Sequence, residues 1–405
     1  MNDHPRDGRG NRKILVVSFL AWTFTNMDQA FFGYAIPGIL AEFDLPLKAV
    51  GVIMTLSFLF ASILLVAAGH LPDRYGRAPT LSLFLGLSAF FVGLQGLAGG
   101  IFLLTLFRSL GFGLSGLLSP ITNAYVVENV SPRRRGLAMG VLQCGYPLGW
   151  FLASGFAAPL LAIHGWRSMF FAAFLVMPVA AAFYWLLRNA ADAPRREAGA
   201  RREIPMRTLF TSQYRRHSLA SIGLHFTFGG AYAGSAFFFP TFFTTTRGYS
   251  EADAASLVGL SNGIAIAGYL LAAFVGERLL TRRTVFMLWT ASGIASLLGL
   301  TWLSGSRLGD TAWYAATAAL LYGSMAVLPV LIAELFPVLA RARALAVTAS
   351  APLALGFAVF PVVVPYVVEG LGWEWTFTLL IAPLLCLALI SSSFLPNRAS
   401  GLTLS

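Results

Sequence analysis

Long apolar runs, separated by short polar stretches rich in arginine, follow one another along the whole chain. A bilayer takes roughly 20 apolar residues per helix, and the runs meet that length without the two-residue alternation of a membrane-spanning barrel strand. The pattern predicts twelve helical spans, at 14–40, 48–70, 79–98, 101–127, 137–162, 168–187, 217–243, 253–276, 284–303, 312–333, 345–368 and 375–395. The longest polar interruption, 188–216, holds Arg188, Arg195, Arg196, Arg201, Arg202, Arg207, Arg215 and Arg216 and separates six spans from six. The expectation is an all-α membrane protein made of an N-terminal six-helix bundle (1–187), a linker (188–216) and a C-terminal six-helix bundle (217–405).

The two halves repeat. Gly165-Trp166 precedes the sixth span and Gly372-Trp373 the twelfth, with the tryptophans 207 residues apart. Glu128 follows the fourth span and Glu334 the tenth, 206 residues on, while Asp73-Arg74 after the second span is matched by Glu277-Arg278 after the eighth, 204 residues on. An even number of spans per copy keeps the copies in the same orientation. Parallel repeats with a site between them are a transporter architecture.

Composition agrees: 57% of the residues are hydrophobic and 11% charged, against about 25% charged in soluble domains. The net charge of +11 does not point to nucleic acid, because the arginines fall in short clusters between spans. Of 28 Lys and Arg, 23 lie on one side, 4 (Lys48, Arg167, Arg247 and Arg307) on the other, and Arg108 lies inside the fourth span. The positive-inside rule then predicts a multi-pass protein of a cell membrane, a bacterial inner membrane, with both termini cytoplasmic. Cys144 and Cys386 sit in apolar runs, so no disulfide framework is implied. The basic N-terminus leads into a run too long for a cleaved signal, so the first span is expected to be retained.

Asp28 lies near the middle of the first apolar run. A carboxylate there costs about 2.5–3.5 kcal/mol or more, so intramembrane acids usually face a protein interior and carry function. Desolvation favours the neutral acid and a nearby guanidinium favours the carboxylate, which makes Asp28 a candidate for reversible protonation. The alternative is a structural hydrogen bond to a neighbouring helix. Rise per residue places Asp28 about 18 Å and Arg108 about 12 Å below the same end of their spans. They are therefore at similar depth, and a permanent structural ion pair is the alternative to a coupling role.

Gly69-His70-Leu71-Pro72-Asp73-Arg74-Tyr75-Gly76-Arg77 resembles the signature loop of the major facilitator superfamily, and it falls between spans two and three as it does there. The resemblance covers the whole chain and implies the major facilitator fold, twelve transmembrane helices in two parallel six-helix repeats. It implies that Gly69, Asp73, Arg74, Gly76 and Arg77 form a cytoplasmic latch; physically, Asp73 can sit against a helix N-terminus or pair with Arg74 or Arg77. Ala78 stands where the family usually has a final basic residue. Leu106-Phe107-Arg108-Ser109-Leu110-Gly111-Phe112-Gly113 is similar to the family's fourth-span motif, which ties Arg108 to proton coupling. Glu128 with Arg135, and Glu334 with Arg341, resemble gating salt bridges of the sugar, organic-cation and organic-acid branches. Asn26-x-Asp28-Gln29 resembles, loosely, the first span of organic-anion/proton and aromatic-acid/proton symporters, with Gln29 where an anion-binding Arg would stand.

The resemblance implies a cavity lined by spans one, four, seven and ten with help from two, five, eight and eleven. Gln29, Tyr34, Gln143, Tyr146, His225, Tyr232, Asn262 and Tyr322 are the polar candidates there for a small-molecule substrate; each alone also reads as helix–helix glue. Phe237, Phe238, Phe239, Phe242 and Phe243 read as an interfacial or lipid-facing belt. Gly145-Tyr146-Pro147 loosely resembles a drug/proton antiporter motif. Gly113-Leu114-Ser115-Gly116 with His225 has the form of an intramembrane serine protease, a remote alternative. No nucleotide-binding glycine loop or metal-ligand cluster is present. The expectation is a monomeric, proton-coupled secondary transporter with no cofactor besides the proton and no nucleic-acid partner. It is expected to take up a small organic anion (an aromatic acid, a carboxylate or a sugar acid), with proton-driven efflux of amphipathic compounds or drugs as the alternative and no catalytic residues.

Overall fold

The computed structural model describes residues 8–130, 135–188, 206–336 and 344–397. The membrane helices are α1 (Gly8–Glu42), α2 (Leu47–Ala68), α3 (Arg77–Gln95), α4 (Ile101–Asn129), α5 (Gly136–His164), α6 (Trp166–Leu187), α7 (Arg215–Ala233, resuming at Phe239–Thr245), α8 (Glu251–Arg278), α9 (Arg282–Trp302) and α10 (Arg307–Ile332). The run Ala346–Ser393 is divided by Gly372, at φ 80°, into α11 (346–371) and α12 (373–393). All twelve expected spans are therefore present. Nine stretches among the described residues are long and apolar enough to cross a membrane. The shortfall comes from counting α11 and α12 together, from the break in α7, and from α1, whose Asn26, Asp28 and Gln29 dilute its apolar run. The surface is apolar where lipid would lie: Val66 is 86% and Phe102 78% exposed, which in water would be a liability and in a bilayer is not.

Helix pairings repeat with the sequence. In the first bundle α1 packs on α5, α2 on α4, α3 on α4 and α3 on α6; in the second α7 packs on α11, α8 on α10, α9 on α10 and α9 on α12. The bundles meet where α5 packs on α8 and α2 on α11, two contacts that exchange under the repeat. Glycines set these crossings. A Cβ on Gly149 would meet the Thr23 carbonyl and the Met27 amide of α1, and one on Gly356, 207 residues on, would meet the Phe226 carbonyl and Gly230 amide of α7. Between bundles, Gly51 faces Pro361 and Gly259 faces Ser154 in the same correspondence.

Spans expected to be continuous are interrupted: α4 at Leu117, α5 at Cys144, α6 in a 3-10 turn at Ala172–Leu175, α7 over 234–238 and α10 in a 3-10 turn at Tyr322–Ala326. In α7 the cause is local, since Gly229, Gly230 and Gly234 weaken the helix and Pro240 cannot continue the backbone ladder. That break corrects the expectation of a phenylalanine belt. Phe237, Phe238, Phe239, Phe242 and Phe243 are fully buried, because the broken segment turns inward: Phe239 meets Tyr314 at 4.4 Å and Phe242 meets Trp373 at 6.4 Å between ring centroids.

One end of the molecule, the basic face, carries the α2–α3 loop. Gly76, at φ 96°, ends the short helix Leu71–Tyr75 and lets the chain turn into α3, a backbone state that side chains with a Cβ rarely adopt. At the opposite face the Trp166 indole donates to Glu42 at 2.8 Å, and the Trp373 indole donates to Thr245 at 3.1 Å. Each repeat thus ties its last helix to the end of its first.

Candidate functional site

Asp28 and Arg108 are 2% and 1% exposed, deep between α1, α3 and α4. The Ser88 hydroxyl lies 3.4 Å from Asp28 Oδ2 and 3.0 Å from the Gly111 carbonyl, and Asp28 Oδ1 has no hydrogen-bond partner among the described residues. The Arg108 guanidinium lies over the rings of Phe32, at 4.2 Å, and Phe112, at 4.9 Å, and its Nε has no hydrogen-bond partner among the described residues. Phe32 is one turn from Asp28 on the same face of α1, about 6 Å along the axis, which matches the depth difference read from the spans. Arg108 is within electrostatic range of Asp28, yet no contact ion pair joins them among the described ion pairs. A permanent ion pair is therefore not what the structure holds. Cation–π contact, about 2 kcal/mol or more when desolvated, holds the guanidinium in its place.

Aromatic rings continue from Arg108 across the bundle interface. Phe112 meets Phe58 edge-on at 4.7 Å, Phe58 meets Phe357 at 5.2 Å, and Phe357 stacks on Tyr232 at 5.4 Å. Tyr232 lies 5.0 Å from Tyr322 and 5.6 Å from Tyr146. Tyr146 leads to Trp150 at 6.2 Å, and Trp150 to Tyr34 at 5.5 Å and Phe237 at 6.0 Å. The Tyr34 hydroxyl donates to the Trp150 carbonyl at 2.9 Å, and the Tyr322 hydroxyl is 3.3 Å from that of Ser235. Trp150 Nε1 is buried without a hydrogen-bond partner among the described residues. Rings from α1, α2, α4, α5, α7, α10 and α11 thus share one cluster with a buried cation at its edge.

Of the sequence-predicted substrate residues, Tyr34, Tyr146, Tyr232 and Tyr322 come together here. Gln29 and Gln143 are half-buried and make no described hydrogen bond. Asn262 donates back to the Val258 carbonyl of its own helix at 2.9 Å. His225 places Nδ1 2.8 Å from the Ser221 carbonyl, which fixes the proton on Nδ1, and Ser221 in turn donates to Thr348 of α11 at 2.9 Å. These bonds make His225 part of the α7–α11 contact. Ser115 spends its hydroxyl on the Phe112 carbonyl at 2.9 Å, and no described contact links it to His225. Phe32, Phe58, Ser88, Trp150 and Phe357 were not singled out as site residues from sequence, where they look like any other residues of an apolar run, and Phe237 was read as part of the belt.

The expected partners on the basic face need correction. Arg77 pairs with Glu128 at 2.5 Å, rather than with Asp73, and Glu334 pairs with Arg282. Each pair joins the start of the third helix of its bundle to the end of the fourth, where the chain brings those ends side by side. Both pairs are internal to one bundle. Asp73 is exposed and makes no ion pair among the described residues. Gly69, in right-handed backbone, caps α2. The side chain of Arg135, and Arg341 altogether, lie outside the described residues.

At the opposite face a cavity of about 720 Å³ lies between Gly38, Glu42 and Trp166 of one bundle and Ser250, Glu251 and Ala252 of the other. A second, of about 350 Å³, lies between Leu40 and Leu47 of the first bundle and Thr241, Glu369 and Trp373 of the second. Both are shallow openings away from Asp28. The bundles are joined at this face by Lys48 and Glu369, 3.8 Å apart. Further in, they are joined by a hydrogen bond from Thr55 to the Ala358 carbonyl at 2.5 Å. Among the described residues no group of His, Cys, Asp and Glu could hold a metal ion.

Comparison with known proteins agrees with this architecture. A probable 4-methylmuconolactone transporter of Cupriavidus pinatubonensis is 27% identical over 80% of this chain and 77% of its own length. The cis,cis-muconate transport protein of Acinetobacter baylyi is 25% identical over 70% of each chain. The crystal structure of a bacterial homologue of the human lysosomal transporter Spinster, inward-facing and unoccupied, superposes with a TM-score of 0.73 over 96% of both chains at 17% identity, a likeness of fold. The profile of the Major Facilitator Superfamily matches residues 14–328. With two parallel six-helix repeats, a matching family profile and relatives that are transporters, the chain is a membrane transporter and belongs to the Major Facilitator Superfamily.

Proposed function

We propose that this chain is a proton-coupled importer of a small organic acid, with an aromatic or ring-derived skeleton, that works by alternating access. The observation that carries the reading is the buried pairing of Asp28 and Arg108 without a contact ion pair, at the edge of an aromatic cluster supplied by both bundles. A guanidinium beside aromatic rings suits a carboxylate on a flat carbon skeleton. A carboxylate that does not already saturate that guanidinium is free to exchange a proton as the anion arrives. Tyr146, Tyr232, Tyr322 and Trp150 line the substrate's side, and the proton is the coupling ion, with no other cofactor. Relatives named for muconate and 4-methylmuconolactone transport support an organic acid. The arginine asymmetry supports an inner-membrane protein whose basic face is cytoplasmic, and both sides of the site come from one chain, as in a functional monomer. The contacts Lys48–Glu369 and Thr55–Ala358 close the opposite face in this conformation.

Purified protein in liposomes, offered cis,cis-muconate and 4-hydroxybenzoate under an inward proton gradient, tests this reading. The expected result is accumulation above equilibrium, alkalinisation outside, and collapse of both by a protonophore. Asp28→Asn should lose accumulation and keep measurable substrate counterflow. Full accumulation by that variant would remove Asp28 from coupling. Acidification outside during uptake would turn the reading to proton antiport and efflux.

A further inference from the structure

Ser88 sits between two acceptors and has one hydrogen to give. Its Oγ is 3.4 Å from Asp28 Oδ2 and 3.0 Å from the Gly111 carbonyl, and the residue is fully buried, so water does not supply a second donor. Gly111 is one turn along α4 from Arg108. It is a glycine where a Cβ would meet Val92 of α3 at 3.0 Å, and this close approach is what lets a short hydroxyl on α3 reach the α4 backbone. Among the described residues, Arg108 of α4 is the charged group that acts on Asp28; α3, α5, α6 and the second bundle bring none to it.

We propose that Ser88 is a positioning residue that passes the protonation state of Asp28 to α4, and with it to Arg108. This rests on the proton-coupled reading above. With Asp28 as a carboxylate, the Ser88 hydrogen turns to Oδ2, and the Gly111 carbonyl keeps only its own helix partner. When Asp28 takes a proton from solvent, the new carboxyl hydrogen donates to Ser88 Oγ, and the Ser88 hydrogen rotates to the Gly111 carbonyl. No bond in Ser88 is made or broken; the incoming proton stays on Asp28. The hydroxyl therefore links α1 to α3 in one state and α1, α3 and α4 in the other. A hydrogen bond that engages the turn beside Arg108 in only one protonation state biases a two-state element as coupling requires.

The test compares wild type, Ser88→Ala and Ser88→Thr. In purified protein, the infrared carboxyl band that disappears in Asp28→Asn should move to higher wavenumber in Ser88→Ala, as its hydrogen-bond acceptor is lost, and return in Ser88→Thr. An unmoved band overturns the proposal, and this readout needs no transport, so it stands apart from any failure of the importer reading. In liposomes, Ser88→Ala should lower the accumulation ratio about ten-fold, as expected for one hydrogen bond to a charged group, and should displace the pH profile of uptake, with Ser88→Thr restoring both. A wild-type pH profile in Ser88→Ala overturns the proposal. So does loss of folding or uptake that Ser88→Thr repeats, because packing alone would then account for the serine.

Discussion

At the scale of single residues, Arg108 is held by rings, not by a carboxylate, and this gives the site its character. The guanidinium lies over the rings of Phe32 and Phe112, and under the proposed function this leaves its planar fork for an incoming anion. Lysine would keep the charge and lose both the fork and the stacking. Arg108→Lys should therefore lower uptake by about ten-fold or more, close to the loss in Arg108→Ala. A lysine variant with the wild-type KM in liposome uptake would show that charge alone suffices. Asp28 and Arg108 were legible in the sequence because a charge in an apolar run announces itself by its cost. Ser88, Trp150 and Phe357 were not, because a serine, a tryptophan or a phenylalanine in a membrane helix costs little wherever it faces. Only the packing of α3, α5 and α11 shows which way each points.

At the scale of elements, the spans were legible as long apolar runs and their repeat as offsets near 206, yet the breaks in α4, α5, α6, α7 and α10 were not, since hydropathy continues straight through them. The misread phenylalanines of α7 follow from the same gap: without the break, residues 237–243 would lie on a continuous helix and some would face lipid. Close crossings are where single substitutions should tell. A valine at 149 would drive its side chain into the α1 backbone at Thr23 and Met27, and overpacking costs about 1–3 kcal/mol. Gly149→Val should lower the melting temperature in detergent, whereas Gly155→Val, at a glycine with open space around its Cβ position, should not. Equal shifts would contradict the α1–α5 contact described here.

The tie between α6 and the end of α1 has its own pH signature. Hydrogen bonds from Arg167, opposed by partial burial and aided by Trp166, hold the Glu42 carboxyl below the usual glutamate range. A depressed carboxyl contributes stability that is full above its unfolded-state value and is lost as pH falls through its folded value. The stability difference between wild type and Glu42→Gln, followed by thermal unfolding, should therefore shrink as the buffer is taken from neutral into the acid range. A difference that stays constant would show that the tie depends on packing and not on charge.

At the scale of the whole molecule, the two bundles are joined at the opposite face by Lys48 and Glu369, both half-exposed. An exposed pair contributes about 0–1 kcal/mol, enough to bias a balance between two conformations without locking it. Lys48→Glu should shift that balance toward opening at this face, raising the labelling rate of a cysteine placed at Ala252 in the neighbouring cavity about two- to five-fold. Adding Glu369→Lys should reverse the gain. Unchanged labelling would mean that the buried contacts of α2 with α11 hold the closure by themselves.

The surroundings of Asp28 carry a last consequence, for the order in which the molecule is made. Ser88, Phe32, Arg108, Gly111 and Phe112 all precede residue 113, whereas the aromatic cluster needs Tyr232, Phe237, Tyr322 and Phe357 as well. Chains fold from the N-terminus as the ribosome delivers them. The buried acid and its guanidinium can thus be enclosed by the first four helices while the second bundle is still being synthesised, so the most expensive charges in the first bundle have their neighbours before the aromatic cluster exists.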